Sequence, residues 1–377
     1  MDKLKVSIFT PQELNHSSYM QTGLFELENE GFLQTKVILS FAKRLGTLRI
    51  ENGEMQITNQ PHPKTSFYQL KDPSTAKTIN FATDLYDAPY SFSKYALDNC
   101  DYVFKRNFEA TFIEKLPEKY QKKILPLGLT FPSKSQYKKE DFKFFISLMF
   151  CNLRISTKID RLTYKRLFNC YKEQINHWNS FKSTRSIKEF EEIKPYSNNA
   201  ILFQTRCFPH ENEDDAKQIH QQRYDITLLL RDTFKDRFYG GIIPSALANK
   251  KYSDAISNLP SDPISYLNMV KKSKIVIYTR GLANSPAWKM AEYLSQGKVI
   301  IAEKLSAGLA YPLIDGKEVL FFENHHDLID KINLVLINEN LSSALSQNAR
   351  KYFEEIVHPK QNIKRIINLM LQHKTIE

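Results

Sequence analysis

Three polar side chains in the stretch 273–323 have the chemistry to bind a phosphorylated, hydroxyl-rich ligand. Arg280 follows the apolar run Ile275–Tyr278, and Lys289 and Glu292 lie one and two helical turns after Ser285. A guanidinium grips two oxygens at once and an ammonium adds a point charge, so both suit a diphosphate. An ionised carboxylate accepts hydrogen bonds and so suits sugar or ribose hydroxyls.

The elements around these residues predict where they lie in a fold. Three short apolar runs look like buried parallel strands: Ile275–Tyr278, Val299–Ala302 and Val319–Phe322. Between the first two we predict a helix with Ser285 as N-cap, Pro286 in its first position and Gly297 at its end. The loop Thr279–Asn284 therefore joins a strand's carboxyl end to a helix start, where ligands bind in open α/β sheets.

A second possible contact is the pair Gly240-Gly241, which falls in a predicted strand over Arg237–Ile243. Glycine lets a backbone approach a ligand closely. A plain turn is the open alternative for this pair.

The segment 273–323 resembles the donor-binding region of GT-B glycosyltransferases, specifically the family-four-like (group 1) type. In many of these enzymes a Glu-x7-Glu pattern opens the equivalent helix, and its second Glu holds the nucleotide ribose. Glu292 matches that second Glu, whereas Asn284 stands in place of the first. The resemblance is strongest over 199–358, architectural over 1–132 and absent over 134–195. It implies an α/β fold of two Rossmann-like domains facing a cleft.

The resemblance also implies which side chains bind the donor. An Arg placed like Arg206, after the predicted strand Ala200–Gln204, contacts the donor phosphates in that family, and Arg280 is a second candidate. The usual Lys five residues later is replaced here by Glu211, so Lys289 would substitute for it. The donor-binding set therefore comprises Arg206, Gly240, Gly241, Arg280, Asn284, Ser285, Lys289 and Glu292.

An inverting enzyme of this type needs a base from its first domain to deprotonate the acceptor hydroxyl. Four candidates follow predicted strands: Glu13, His16, Asp84 and Asp87. The spacing of Asp84 and Asp87 differs from the metal-binding DxD motif of GT-A enzymes. We therefore expect no metal site and no cofactor, with a nucleotide-diphosphate sugar as co-substrate. Inverting and retaining stereochemistry both remain open.

The length and composition are those of a soluble globular chain with two domains. The 377 residues contain no run of 18 apolar residues and no signal-peptide core, so we expect a cytoplasmic protein. The four widely spaced cysteines indicate reduced, structural thiols. We predict four segments: an acceptor-side domain over 1–132, a mostly helical insertion over 133–198, a donor-binding domain over 199–358, and a final helix over 359–377 that packs back on the first domain.

The insertion carries most of the net charge of +11, with 14 basic and 7 acidic side chains over 133–198. Phe and Tyr alternate with these charges. Basic groups attract anionic lipid headgroups, and aromatic rings suit the interface. Residues 134–195 are therefore a candidate for peripheral binding to the inner face of the membrane. Inward-packed aromatics with solvated charges are the open alternative.

The preferred interpretation is a glycosyltransferase that moves a sugar to a glycan or lipid-linked glycan in bacterial surface polysaccharide synthesis. A non-hydrolysing nucleotide-sugar epimerase and a non-catalytic, sugar-nucleotide-binding assembly partner remain open. The basic pI of about 9.2 raises nucleic-acid binding, but the chain lacks RNA-binding motifs and Gly-Arg tracts, so we expect no nucleic-acid partner.

Overall fold

The computed structural model divides into two compact units. Unit 1 comprises Met1–Ile187 and His358–Glu377, and unit 2 comprises Lys188–Val357. The residues described are 3–40, 42–137, 143, 168, 171–172, 175–176, 178–179, 181–194, 199–209 and 213–372. Each unit contains a β-sheet with helices, which confirms the predicted α/β class.

The described strands, in chain order, are β1 (Leu4–Thr10), β2 (Leu33–Leu39), β3 (Leu45–Glu51), β4 (Glu54–Pro61), β5 (Thr65–Asp72), β6 (Lys77–Asp84), β7 (Ser91–Ser93), β8 (Tyr102–Lys105), β9 (Ile124–Pro126), β10 (Ile201–Thr205), β11 (Phe238–Ile242), β12 (Ile275–Tyr278), β13 (Val299–Glu303) and β14 (Leu320–Phe322). The described helices are α1 (Leu14–Asn29), α2 (Lys94–Asn99), α3 (Ala110–Ile113), α4 (Glu118–Gln121), α5 (Ile187–Glu191), α6 (Asp214–Phe234), α7 (Ala246–Lys251), α8 (Pro263–Lys272), α9 (Trp288–Ser295), α10 (His325–Ile337), α11 (Glu339–Tyr352) and α12 (Pro359–Gln372).

The main sheet of unit 1 has six strands in the order β2-β1-β5-β6-β8-β9. The strand–helix alternation of the sequence predicts a parallel sheet, and this is wrong for one strand. β5 runs antiparallel to both β1 and β6, because a short turn joins it directly to β6 as a hairpin. The carboxyl ends of β1, β6 and β8 nevertheless lie at one edge, since β1 and β6 are each antiparallel to β5 and β8 is parallel to β6.

A second, three-stranded sheet in unit 1 has the order β4-β3-β7. The pair Asn52-Gly53 between β-prone flanks predicts a hairpin, and the structure confirms it: the two residues have φ values of 50° and 85°, as a type I′ turn requires. The inner face of this sheet packs Leu48, Ile50 and Phe92 into the core of unit 1. The outer strand β4 is exposed along its whole length.

Unit 2 has a five-stranded sheet in which every pair is parallel, in the order β11-β10-β12-β13-β14. The central strands β10 and β12 are buried along their whole length, as is typical of a parallel sheet covered on both faces. The core includes Ile201, Ile277 and Ile301 from the sheet, with Leu328 and Ile332 from α10. The connections diverge on either side of β10, so a crevice is expected where the loops after β10 and β12 leave the sheet.

The helix after β12 begins later than the sequence predicts. We expect Ser285 as its cap and Pro286 as its first residue, but α9 begins at Trp288. Ala283 and Asn284 are left-handed, with φ of 51° and 56°, and Ser285 closes a tight loop by accepting from the Gly281 amide at 3.0 Å. The predicted end is confirmed, because Gly297 has φ of 54° just after the helix.

The last helix, α12, returns to unit 1 and packs on α1. The close approach requires glycine at position 23, since a Cβ there would lie 2.5 Å from the carbonyl oxygen of Pro359. Pro359 itself starts the helix, where its missing N–H costs nothing.

Candidate active site

Residues for anion binding converge at the carboxyl end of β10 in unit 2. Arg206 immediately follows this strand and is exposed, with its guanidinium 5.8 Å from the centre of the Phe208 ring. Lys289, from the second position of α9, donates from Nζ to the carbonyl oxygen of Gln204. The structure therefore brings Arg206 and Lys289 to the same strand end, as the sequence predicts.

Lys289 is held in a poorly solvated position. Its side chain is partly exposed as a whole, but the amine is enclosed by the Gln204 carbonyl and lies 4.8 Å from the centre of the Tyr266 ring. Burial lowers the pKa of Lys289 to about 7, and the positive charge of Arg223 adds to this effect. Glu292, one turn further along α9, acts in the opposite direction.

Glu292 is buried on α9, with 5% of its surface exposed. The alternative interpretation of Glu292 is a solvated carboxylate on the helix surface. A buried carboxylate next to a lysine does not fit that interpretation. The contact of Glu292 with a hydroxyl of the donor stays a prediction.

Arg223 on α6 is a functional candidate that sequence reasoning missed. Its buried guanidinium donates to the carbonyl oxygen of Arg206 at 2.6 Å and to that of Arg280 at 3.0 Å. It thereby joins the loop after β10 to the loop after β12. Burial lowers the pKa of Arg223 to about 10, and the positive charge of Arg206 also acts to lower it. Nothing local in the sequence HQQRYD distinguishes this arginine from a helix-surface residue.

Arg280 is already engaged by two carboxylates. Its Nη1 lies 2.5 Å from Oδ1 of Asp215, and its Nε lies 3.7 Å from Oε1 of Glu303. Asp215 also accepts from the Ala283 amide at 2.8 Å, so the pair orders the loop before α9. A structural role for Arg280 thus has direct support, whereas its predicted phosphate contact stays a prediction.

Asn284 and Ser285 belong to the tight loop rather than to a helix start. Asn284 is exposed, and its carbonyl oxygen accepts from the Ser306 hydroxyl at 3.2 Å. Ser285 is buried and is not the N-cap of α9. The first amide of the α9 region is instead satisfied from a distance, because Ala287 donates to the Tyr278 hydroxyl at 2.8 Å.

Gly240 and Gly241 lie inside β11, so neither a ligand contact nor a turn is needed to explain them. A Cβ on Gly240 would lie 2.0 Å from the carbonyl oxygen of Phe203 on the neighbouring strand. A Cβ on Gly241 would lie 2.4 Å from the carbonyl oxygen of Ala255. Both glycines also have φ near 130°, where other residues are strained.

In unit 1, three of the four base candidates form one cluster. Glu13 caps α1, and its Oε2 accepts from the His16 amide at 3.0 Å and contacts Nδ1 of the same histidine. Burial lowers the pKa of His16, an effect that Glu13 opposes and that the charges of Lys64 and Arg106 reinforce. His16 is therefore neutral, and able to accept a proton, near pH 7.

Asp87 joins this cluster through two cations. It pairs with Arg106 and, at 2.8 Å, with Nζ of Lys64. Burial alone would raise the pKa of Asp87, but Arg106 and Lys64 outweigh it and hold the pKa below its usual range. Asp87 is thus a stable anion and a weak base.

Asp84 differs from the other candidates because it has no exposed surface. It lies 3.0 Å from Nζ of Lys105, which is equally buried and also donates to the carbonyl oxygens of Ala88 and Ser91. A carboxylate enclosed in this way cannot meet an acceptor hydroxyl without unfolding its surroundings. Asp84 therefore has a structural role, and the prediction that it is a base is not supported by its position.

Neither a metal nor a membrane-spanning segment is evident in the part of the chain that the structure describes. No group of three or more His, Cys, Asp or Glu side chains is arranged there to hold a metal ion. In the same residues, none of the helices has the length and apolarity needed to cross a bilayer. Most of the candidate membrane surface over 134–195 lies outside the described residues.

The comparisons with known proteins support the interpretation of unit 2. Residues 210–368 match a family model described as "Glycosyl transferase-like". The predicted resemblance to glycosyltransferases is confirmed over this range, which includes Arg223, Arg280, Lys289 and Glu292. A search of curated proteins found no match to the sequence.

Three solved structures are similar to this chain at low sequence identity. Alr3699/HepE from Anabaena, solved with UDP and glucose, is 10% identical with a TM-score of 0.41, over 77% of this chain and 71% of that one. A glycosyltransferase from Rickettsia africae is 14% identical with a TM-score of 0.36, over 73% of this chain and 64% of that one. The C-terminal domain of the group 1 protein LpcC from Francisella tularensis is 14% identical with a TM-score of 0.29, over 42% of this chain and 84% of that one.

The enclosed amine of Lys289 predicts a pH-dependent stability difference. The Lys289 amine has a pKa of about 7 in the folded protein and of 10.5 in the unfolded chain. Lys289 therefore destabilises the folded state fully below about pH 7, and this destabilisation decreases as the pH rises towards 10.5. Lys289→Met should therefore raise the melting temperature near neutral pH and much less near pH 10. Thermal melts across this range test it, with the exposed Lys250→Met as control; an equal change at both pH values would contradict the enclosed position.

Proposed function

We propose that the protein is a metal-independent glycosyltransferase, which transfers a hexosyl group from a nucleotide-diphosphate sugar to a hydroxyl of a glycan or lipid-linked glycan. The observation that carries this proposal is the meeting of Arg206, Lys289 and Glu292 beside the β10 and β12 loops of a parallel sheet. The family match over 210–368 supports the class of reaction.

The donor half of the proposal follows from charge. A diphosphate carries at least two negative charges, and Arg206 and Lys289 provide two cationic groups at one strand end. Arg223 lies beside them but is occupied by two loop carbonyls, so it holds the binding groups in place. A bound diphosphate would favour the charged form of Lys289 and so reverse the effect of its burial.

Two buried polar atoms mark the same place. The Nε of Arg223 and the Oε1 of Gln204 have no hydrogen-bond partner among the residues that the structure describes. Buried polar atoms in folded proteins are normally satisfied. A polar ligand or ordered water at the end of β10 is a reasonable partner for such atoms.

The proton-transfer half rests on His16 and Glu13 in unit 1. In an inverting reaction His16 Nε2 takes the proton of the acceptor hydroxyl as its oxygen forms a bond to the anomeric carbon. The bond from that carbon to the diphosphate oxygen breaks, and the nucleoside diphosphate leaves with the electron pair. Glu13, at Nδ1, orients the ring and stabilises the imidazolium that forms.

We infer the acceptor class and the membrane surface from the composition of residues 134–195. The basic and aromatic residues of 134–195 suit an anionic lipid surface, as would serve an enzyme acting on a lipid-linked acceptor in surface polysaccharide synthesis.

Removing the donor-binding charges should weaken nucleotide binding. Arg206→Ala and Glu292→Ala each remove a charge-assisted hydrogen bond, worth roughly 1.5–3 kcal/mol, or about tenfold or more in affinity. Binding is measured by calorimetry, with the ligand chosen by a thermal-shift screen of UDP-, GDP-, ADP-, dTDP- and CMP-sugars.

The matched control is Arg237→Ala, an exposed arginine just before β11, at the opposite end of the strands. It should bind like the parent protein. Arg280→Ala should also weaken binding, because it removes both the pairing that orders the loop with Asp215 and the predicted phosphate contact. If Arg206→Ala and Glu292→Ala both keep the parent affinity, the donor site is elsewhere.

Loss of the base should separate catalysis from binding. His16→Gln should lower kcat by about 10²–10⁴-fold with unchanged donor affinity. Glu13→Gln should move the acid limb of the rate profile to lower pH, because Glu13 raises the pKa of His16. The pH dependence of kcat/KM with saturating donor measures this. Full activity in His16→Gln would point to a retaining reaction in which the leaving phosphate takes the proton.

Chelation should leave transfer intact. Arg206 and Lys289 supply the charge that a divalent ion supplies in metal-dependent enzymes, so an excess of EDTA is expected not to change the initial rate. The assay compares rates with EDTA, with Mg²⁺ and with Mn²⁺. Loss of activity in EDTA with recovery on adding either ion would overturn metal independence.

A further inference from the structure

The amine of Lys289 rests against the main chain of β10. Its Nζ donates to the carbonyl oxygen of Gln204 and lies 4.8 Å from the centre of the Tyr266 ring. The side chain leaves the first turn of α9 on a flexible four-carbon stem, so the amine can swing away from Gln204 without movement of the helix. A ligand at the end of β10 therefore competes with a main-chain carbonyl for this amine.

The charged groups around the amine do not balance a charge on it. The guanidinium groups of Arg223 and Arg206 act against a charge on Nζ, and the carboxylate of Glu292, one turn further along α9, favours it. In the part of the chain that the structure describes, no carboxylate lies within ion-pair distance of Nζ. The amine thus has two cations as neighbours and no anion in contact.

The tyrosines beside the amine add no compensating charge. The hydroxyls of Tyr266 and Tyr293 lie 2.7 Å apart and hydrogen-bond to each other. Burial raises the pKa of Tyr293, so its hydroxyl stays neutral near pH 7. An ammonium enclosed in this way is costly. Burial, with the two guanidiniums, accordingly brings the pKa of Lys289 to about 7, and a large fraction of the ligand-free protein carries a neutral amine.

We propose that binding of a nucleoside diphosphate is coupled to the uptake of one proton from solvent, and that Lys289 is the residue that accepts it. This inference rests on the proposed donor site. A diphosphate at the end of β10 brings negative charge to Arg206 and Lys289, and a nearby anion favours the charged form of a lysine. The amine then leaves the Gln204 carbonyl, binds a phosphate oxygen as an ammonium, and returns its proton to solvent when the nucleoside diphosphate dissociates.

This coupling limits donor binding on the alkaline side. Above about pH 7 the free protein gains a proton for each ligand bound, so the affinity falls by up to about tenfold for each further pH unit. His16 acts on the acid side, because it must be unprotonated to accept the proton of the acceptor and burial lowers its pKa. The pH profile of kcat/KM should therefore be bell-shaped, with Lys289 responsible for the alkaline limb.

Calorimetry measures the proton directly. The probe is whichever of UDP, GDP, ADP, dTDP and CDP gives the largest thermal shift, and the binding enthalpy at about pH 8 is compared in HEPES and in Tris, which differ in ionisation enthalpy. Phosphate groups are already ionised at this pH, so the uptake reports on the protein. The parent protein should take up about 0.9 proton per ligand and should bind about tenfold more weakly at pH 9 than at pH 8.

Three variants assign the proton to its residue. Lys289→Met should bind more weakly, take up no proton and keep one affinity from about pH 8 to about pH 9, with folding checked by its melting temperature. Arg206→Ala should also bind more weakly but keep most of the uptake, because a guanidinium does not titrate in this range. The exposed Lys250→Met is the matched control and should equal the parent in affinity and uptake.

Two outcomes would overturn the coupling: a parent protein that binds the probe with no proton uptake, or an uptake that persists undiminished in Lys289→Met. Either of these leaves the proposed donor site standing, since the ligand still binds. A parent protein that binds none of the five nucleoside diphosphates would overturn the proposed function and the coupling together.

Discussion

One buried guanidinium determines the geometry of the proposed donor site. Arg223 comes from the middle of α6 and donates to the carbonyl oxygens of Arg206 and Arg280, which lie 17 and 57 residues away in sequence. Even with its lowered pKa of about 10 it is charged at neutral pH. Burying a cation is costly unless it is hydrogen-bonded, and two strand-end carbonyls meet that need here. The loops on either side of the crevice are thereby held together before any ligand binds, so less ordering is required on binding.

In unit 1, too, a buried cation holds a loop in place at the carboxyl edge of the sheet. The buried ammonium of Lys105 contacts Asp84 at the end of β6 and the carbonyl oxygens of Ala88 and Ser91 in the following loop. That loop carries Asp87, which pairs with Arg106 and Lys64 around His16. Removing one partner of such a pair typically costs about 3–5 kcal/mol, since a buried charge is left uncompensated. The loop therefore depends on Lys105 for its shape.

Sequence patterns predicted those features that depend on local chemistry. The apolar runs of unit 2 became parallel strands, Gly297 ended α9, and Asn52-Gly53 formed the hairpin turn. The start of α9 could not be predicted, because Ser285 is used in a loop and the Ala287 amide is satisfied by the hydroxyl of Tyr278, nine residues earlier.

The candidate site was predictable only in part for the same reason. Asp84 and Asp87 are three residues apart and look alike in sequence, but their roles are set by Lys105 and Arg106, which the fold brings from 21 and 19 residues away. Arg223 gave no local signal, because its partners are main-chain oxygens that any sequence provides. The glycines of β11 have a similar origin, in the close approach of the Phe203 and Ala255 carbonyls.

The central claim is that the end of β10 binds the diphosphate of a nucleotide sugar. A crystal structure of the protein grown with a nucleoside diphosphate tests it most directly. The account predicts phosphate oxygens within about 2.7–3.2 Å of the Arg206 guanidinium and the Lys289 amine, with a ribose or sugar hydroxyl on Glu292. Clear density for the diphosphate away from the loops that follow β10 and β12 would contradict it.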